Sequence, residues 1–188
     1  MTTHSIIAIA AAALLILIVI GIYNGLVRAR MRVRTAWAQI DAQLKRRHDL
    51  IPNLVASVRG YFDHEADVLE RVTTLRERAA GAGDDVAKRA DAEGALSGAL
   101  GKLIARVEAM PDLKANTTVL ALQEELATTE NRIAFSRQHY NETTGDYNGA
   151  IATIPNVLIA RPCGFQPAAF FEIDVPTTVP IVSLGRAA

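Results

Sequence analysis

The chain has 188 residues with 20 basic and 20 acidic side chains, so its formal net charge is zero. One cysteine, Cys163, excludes an intrachain disulfide framework and a Cys-x-x-Cys zinc site, and 32 alanines with 5% aromatic residues favour helices over an all-β fold. The zero hides three blocks in order: residues 1–27 carry no Lys, Arg, Asp or Glu, residues 28–47 carry +6, and the remainder carries −6.

The first element is apolar from Ile6 to Ile20 without a break, and Gly21 and Ile22 extend it. As a helix, Ile6 to Val27 measures roughly 33 Å against a bilayer core of about 30 Å. This predicts a spanning helix over residues 1–27, with Ile6, Leu14, Leu17, Ile20 and Ile22 facing lipid. A cleavable signal peptide fits less well, because no Lys or Arg precedes the run and no small-x-small site follows it. Arg28, Arg30, Arg32 and Arg34 follow the span. They predict an outside N-terminus and a cytoplasmic body, and they stand where anionic lipid headgroups are.

The body is expected over residues 28–160. Its first helix, about 28–48, has a stripe at Val33, Trp37, Ile40 and Leu44 and continues from the span, since no breaker lies between. Lys45, Arg46 and Arg47 lie roughly 20 Å beyond Arg34 on a straight helix and are expected to meet acids of the body. Asp49 to Pro52 predicts a kink or turn, with Asp49 capping the next helix, because a residue before proline disfavours the α region.

A second helix is predicted over about 52–80, striped by Leu54, Val55, Val58, Phe62, Leu69, Val72 and Leu75, with Gly60 inside it. A third follows over 84–110, opened by Asp84 and Asp85 and buried through Leu96, Leu100, Leu103 and Val107. Gly94 and Gly98 offer it a surface for close helix approach. The fourth and longest, about 116–154, repeats spacings of 4 and 3 from Leu122 to Ile154 through Thr129, Ser136, Tyr140, Thr143 and Tyr147. Its polar layers at Thr129, Ser136 and Thr143 are expected to set register or subunit number. Residues 161–188 hold four prolines and no helical period. They read as an extended arm anchored by Phe165, Phe170 and Phe171, then a looser tail. The fold class is therefore all-α: one N-terminal transmembrane helix, a three- or four-helix antiparallel up-and-down bundle, and an extended C-terminal arm.

Motifs along this body carry a resemblance. They are Tyr23-Asn24-x-Leu26-Val27, Ala36-Trp37-x-x-Ile40, and Leu44-x-Arg46-Arg47-x-Asp49-Leu50-Ile51-Pro52-Asn53-Leu54-Val55. Further on stand Gly60-Tyr61-x-x-His64-Glu65, Pro111-x-Leu113-Lys114-Ala115-Asn116 and Glu125-Leu126-x-x-Thr129-Glu130-Asn131-x-Ile133. Arg137-x-x-Tyr140-Asn141, Tyr147-Asn148-x-x-Ile151, Gly164-Phe165 and Phe170-Phe171-Glu172 complete the set. Together they resemble the LemA family over about four-fifths of the chain. The resemblance implies a bacterial inner-membrane protein with one N-terminal span and a cytoplasmic helical bundle. It also implies kinship with a magnetosome protein linked to vesicle formation, and genomic company with membrane proteases. Met110, Thr117 and Thr118 depart from the family's usual aromatic positions.

Chemistry is sparse. Asp63-His64-Glu65-x-Asp67 lacks the His-Glu-x-x-His spacing of zinc sites, and no Glu-x-x-His pair for a di-iron bundle exists. Gly101-Lys102 lacks the partner glycine and the following Ser or Thr of a phosphate loop. Cys163 has no neighbouring base. No cofactor, metal or enzymatic role is expected, and an acidic body beside a membrane argues against nucleic acid. The expected role is a self-assembling homo-oligomeric scaffold that organises the inner membrane through the fourth-helix seam and the arm. An adaptor for a membrane protease or signalling partner is the alternative, with a hydrolase as a third reading.

Overall fold

The computed structural model describes residues 3–62 and 66–173. Its elements are α1 (Thr3–Val58), a single 3-10 turn (Arg59–Tyr61), α2 (Ala66–Ala80), α3 (Val86–Ala109), the short α4 (Pro111–Lys114), α5 (Thr117–Ala152) and the short α6 (Val157–Ala160). No strand occurs among the described residues.

The largest departure from expectation lies in α1. It runs 56 residues, roughly 84 Å, through Asp49 and Pro52 without a turn. Asp49 therefore caps nothing. Pro52 has no N–H, which orphans the carbonyl of His48 one turn earlier. The structure repairs this from outside the helix: Nε of Arg76 donates to the His48 carbonyl at 2.7 Å. The apolar stripe also runs on through the proline. Ile40, Leu44, Arg47, Ile51, Leu54 and Val58 alternate spacings of 4 and 3, and all are buried. The true interruption comes at Arg59–Tyr61, around Gly60, so the expected second helix, 52–80, is split between the end of α1 and α2.

The helices run up, down, up and down. Arg76 of α2 meets His48 and so descends. Arg89 of α3 meets Asp41 and Ser97 meets Arg47, so α3 climbs beside α1. Arg46 pairs with Glu125 at 2.7 Å and Trp37 packs on Tyr140, so α5 descends along α1. Local signals set the ends of these helices. Asp85 caps α3 by accepting from the Ala87 and Lys88 amides, and Asn116 caps α5 through the Thr118 and Val119 amides.

Two cores result. The distal one joins the end of α1 to α2, α3, α4 and the start of α5, around Leu54, Phe62, Leu96, Leu103 and Leu113. The proximal one joins Leu26, Val33 and Ile40 of α1 to Ile133, Tyr140, Tyr147 and Ile151 of α5. There the extended arm takes the place that the α2–α3 hairpin fills in the distal half, with Phe165 buried and Phe171 fully covered.

The α5 seam is buried inside the chain, against α1 and the arm. It is not a free surface for joining copies, which corrects the expectation that self-association uses it. Val119, Leu126, Ile133, Tyr140 and Tyr147 keep a seven-residue repeat, but the intervening positions shift from Thr129 to Thr144 and Ile151. A straight helix drifts against a strict 3.5 repeat, which moves the buried face by one residue. Thr143 is thus only half-buried and Ile154 is 80% exposed. The hydroxyls of Thr129 and Thr143 donate to carbonyls one turn back in their own helix, at Glu125 and His139. Two of the expected register layers therefore satisfy themselves.

Candidate functional site

Three features of the body unite residues distant in sequence. The first is a buried ionic centre. Arg47 is fully covered, although it belongs to the block of charges that follows the apolar N-terminal segment. Its partners converge from two other helices. The guanidinium pairs with the equally covered Glu93 of α3 and reaches Glu130 of α5 at 2.7 Å and the Ser97 hydroxyl at 2.7 Å. His48 adds Nε2 at 3.0 Å from Glu93. Burial pushes the Glu93 carboxyl up, but the His48 hydrogen bond and the Arg47 charge outweigh it and hold the group below its ordinary 4.5. One residue earlier, Arg46 makes a surface pair with Glu125. This centre pins α1, α3 and α5 together where the two cores meet.

The second feature is a clasp on the arm. Asn141 donates to the Phe171 carbonyl at 3.2 Å and accepts from the Phe171 amide at 2.9 Å. Asn148 does the same to Ala168, at 2.9 and 2.8 Å. The tyrosine before each donates its hydroxyl to the arm as well, Tyr140 to Ala169 at 2.8 Å and Tyr147 to Gln166 at 2.9 Å. Burial pushes both phenols above 10.0, which keeps them as donors. The geometry follows from two periods: seven helical residues rise about 10.5 Å, and three extended residues span about 10 Å. A Tyr-Asn pair repeated at seven therefore grips the extended arm at every third residue. Tyr140 and Tyr147 were expected as positions of the fourth-helix seam, not as a grip on the arm. Asn141 and Asn148 were not, and the repeated dipeptide was the signal for them.

The third feature is the proximal end. Arg28, Arg32 and Arg34 are exposed, while Arg30 is half-buried, its guanidinium 5.1 Å from the centre of the Phe165 ring. Tyr23 meets the same ring edge-on at 5.7 Å. Ile6, Leu14, Leu17 and Ile20 stand about half or more exposed, but Ile22 packs against the body.

The remaining expected residues scatter. Trp37 is half-buried between Tyr140 and Phe171, with Arg89 over its ring. Asp49, Pro52 and Asn53 are exposed on α1, and Asn131 is exposed on α5. Ser136 is half-buried. Phe170 is 44% exposed, so the arm anchors through Phe165 and Phe171 without it. Gly94 is half-buried, whereas a side chain at Gly98 would meet nothing within 4 Å, so no helix makes a close approach at Gly98. Asp63, His64 and Glu65 lie outside the described residues, as does the tail from 174 onward. No cluster of three metal-binding side chains occurs among the described residues. Cys163 is exposed.

The sequence pattern of the LemA family matches residues 36–183, most of the chain. The chain belongs to the LemA family. Protein LemA of Metamycoplasma hominis is 25% identical over 165 residues, covering 85% of this chain and 75% of its own length. Magnetosome protein MamQ of Magnetospirillum gryphiswaldense is 24% identical over 186 residues, covering 86% of this chain and 68% of its own. Magnetosome protein MamQ 2 of Paramagnetospirillum magneticum is 33% identical over 92 residues, covering 49% of this chain and 34% of its own. This LemA-family chain carries one described helix, α1, that is long and apolar enough to cross a membrane.

Proposed function

We propose that this chain is a membrane-anchored, non-catalytic scaffold whose copies assemble and organise the bacterial inner membrane. The observation that carries the reading is the unbroken α1. The helix that exposes Leu14, Leu17 and Ile20 is the same helix that buries Leu26, Ile40 and Val58, so any tilt imposed on the span turns the whole bundle. Such a stalk suits a protein that converts contacts between bodies into order in a bilayer. The likeness to magnetosome proteins points the same way.

In this reading the N-terminus is outside and the body is cytoplasmic. Arg28, Arg32 and Arg34 meet anionic headgroups, each contributing about 1 kcal/mol of attraction. With the α5 seam occupied internally, copies meet through the span and through the outward face of α5, where Phe135 is 76% and Leu120 45% exposed. Light scattering on the full chain in mild detergent tests this. Several copies per particle at micromolar concentration are expected. A monomer at every concentration refutes self-assembly, and a monomer that holds one protease or signalling partner transfers the chain to an adaptor role.

A further inference from the structure

We propose that the turn joining α5 to α6 is a second membrane contact, inserted into the lipid interface beside the span. The proposal rests on reading α1 as that span.

Depth comes first. Trp37 packs on Tyr140; Ile154 stands fourteen residues after Tyr140 and Tyr23 fourteen before Trp37. The antiparallel helices thus place Ile154 at the height of Tyr23. The part of α1 free of the body ends near Gly21, since Ile22 already packs against it. Ile6 to Gly21 rises about 24 Å, whereas the hydrocarbon core is about 30 Å thick. The missing 6 Å or so is four more residues, which sets the lipid boundary at about Gly25. The turn at the level of Tyr23 lies on the lipid side of that boundary.

Composition agrees. Tyr147 to Ala160 contains no Asp, Glu, Lys or Arg. At the tip of this stretch Ile154 is 80% and Leu158 is 71% exposed. These are among the most exposed large apolar side chains of the body. The uncharged zone is bounded by Asp146 on α5, Arg161 after α6 and Arg28 on α1. Apolar tips flanked by such charges bury about 5–10 Å into the boundary between headgroups and acyl chains. The turn would therefore fix how the stalk rotates about the bilayer normal, which one helix alone cannot do.

The test uses the full chain with Cys163→Ser, reconstituted into vesicles of phosphatidylethanolamine and phosphatidylglycerol. An environment-sensitive fluorophore is placed at Leu158→Cys, and in separate samples at Ile154→Cys, Leu17→Cys and Asn53→Cys, the last an exposed site far from the span. Circular dichroism checks that each variant keeps its helices. The tip labels should be quenched by lipids carrying a nitroxide high on the acyl chain and shielded from aqueous iodide. The Asn53 label should respond only to iodide. Tip labels open to iodide and untouched by lipid, with the Leu17 label lipid-quenched, overturn the proposal and leave the span intact. Tip labels shielded from both quenchers also overturn it, because protein then covers the turn. A Leu17 label that lipid does not quench removes the span, and the second contact with it.

Discussion

Replacing Arg47 by Met should cost this protein more than any change on its surface. The guanidinium is fully covered and answers two carboxylates, Glu93 and Glu130. Met keeps the volume and removes the charge, which strands Glu93 in the interior with only His48 beside it. Breaking a buried pair from one side costs about 3–5 kcal/mol. For a chain of this size each kcal/mol lowers the melting temperature by about 2–4 °C, so a fall of about 6–20 °C is expected. The assay is a circular dichroism melt of the full chain in detergent micelles. Adding Glu93→Leu should recover most of the loss, because the orphaned charge goes with it.

Acid sharpens the test. The folded Glu93 carboxyl lies below its ordinary 4.5, so its contribution is present above about that pH and disappears as pH falls through the lower folded value. Without Arg47 that value rises, and the acid limb of the melting curve should move to higher pH. A variant that melts within about 1 °C of its parent, with an unmoved acid limb, would refute a structural role for the centre.

Three further outcomes are expected. Asn141→Ala and Asn148→Ala each delete two hydrogen bonds, so the Phe171 or Ala168 amide should exchange with deuterium about tenfold faster or more; unchanged protection would mean the clasp does not hold the arm. Arg76→Ala should cost about 1–3 kcal/mol by orphaning the His48 carbonyl, and Pro52→Ala should relieve that cost by restoring the helical N–H; equal losses in both backgrounds would contradict the repair. Asn116→Ala should remove the α5 cap and lower the melting temperature by about 2–4 °C, read in the same melts.

The long apolar N-terminal helix, the all-helical class and the stripes of α1, α3 and α5 were legible because they are periodic and local. The missed parts depend on distant residues. Pro52 reads as a break under any local rule, and Arg76, which cancels it, stands 24 residues away. Even so, the spacing that runs from Leu44 through Arg47 and Ile51 to Leu54 crosses the proline unbroken, and it marked both the continuous helix and the buried arginine. Reading Arg47 only as one of a basic cluster concealed that it occupies a core position. The α5 period was recognised, but seven residues of a straight helix fall short of two full turns. The buried face therefore shifts to Thr144 and Ile151, and Ile154 leaves the core for the tip. The Tyr-Asn repeat was visible, and its meaning needed the arm's extended backbone beside it.

One distance decides whether span and body form a single mechanical unit. Spin labels at Leu17→Cys and Asn53→Cys, both exposed sites on α1, are placed in a Cys163→Ser background in lipid nanodiscs and measured by double electron–electron resonance. Thirty-six helical residues separate them, so one narrow distribution near 54 Å, about 1.5 Å per residue, is expected. A broad or clearly shorter distribution would place a joint in α1 and contradict a rigid stalk.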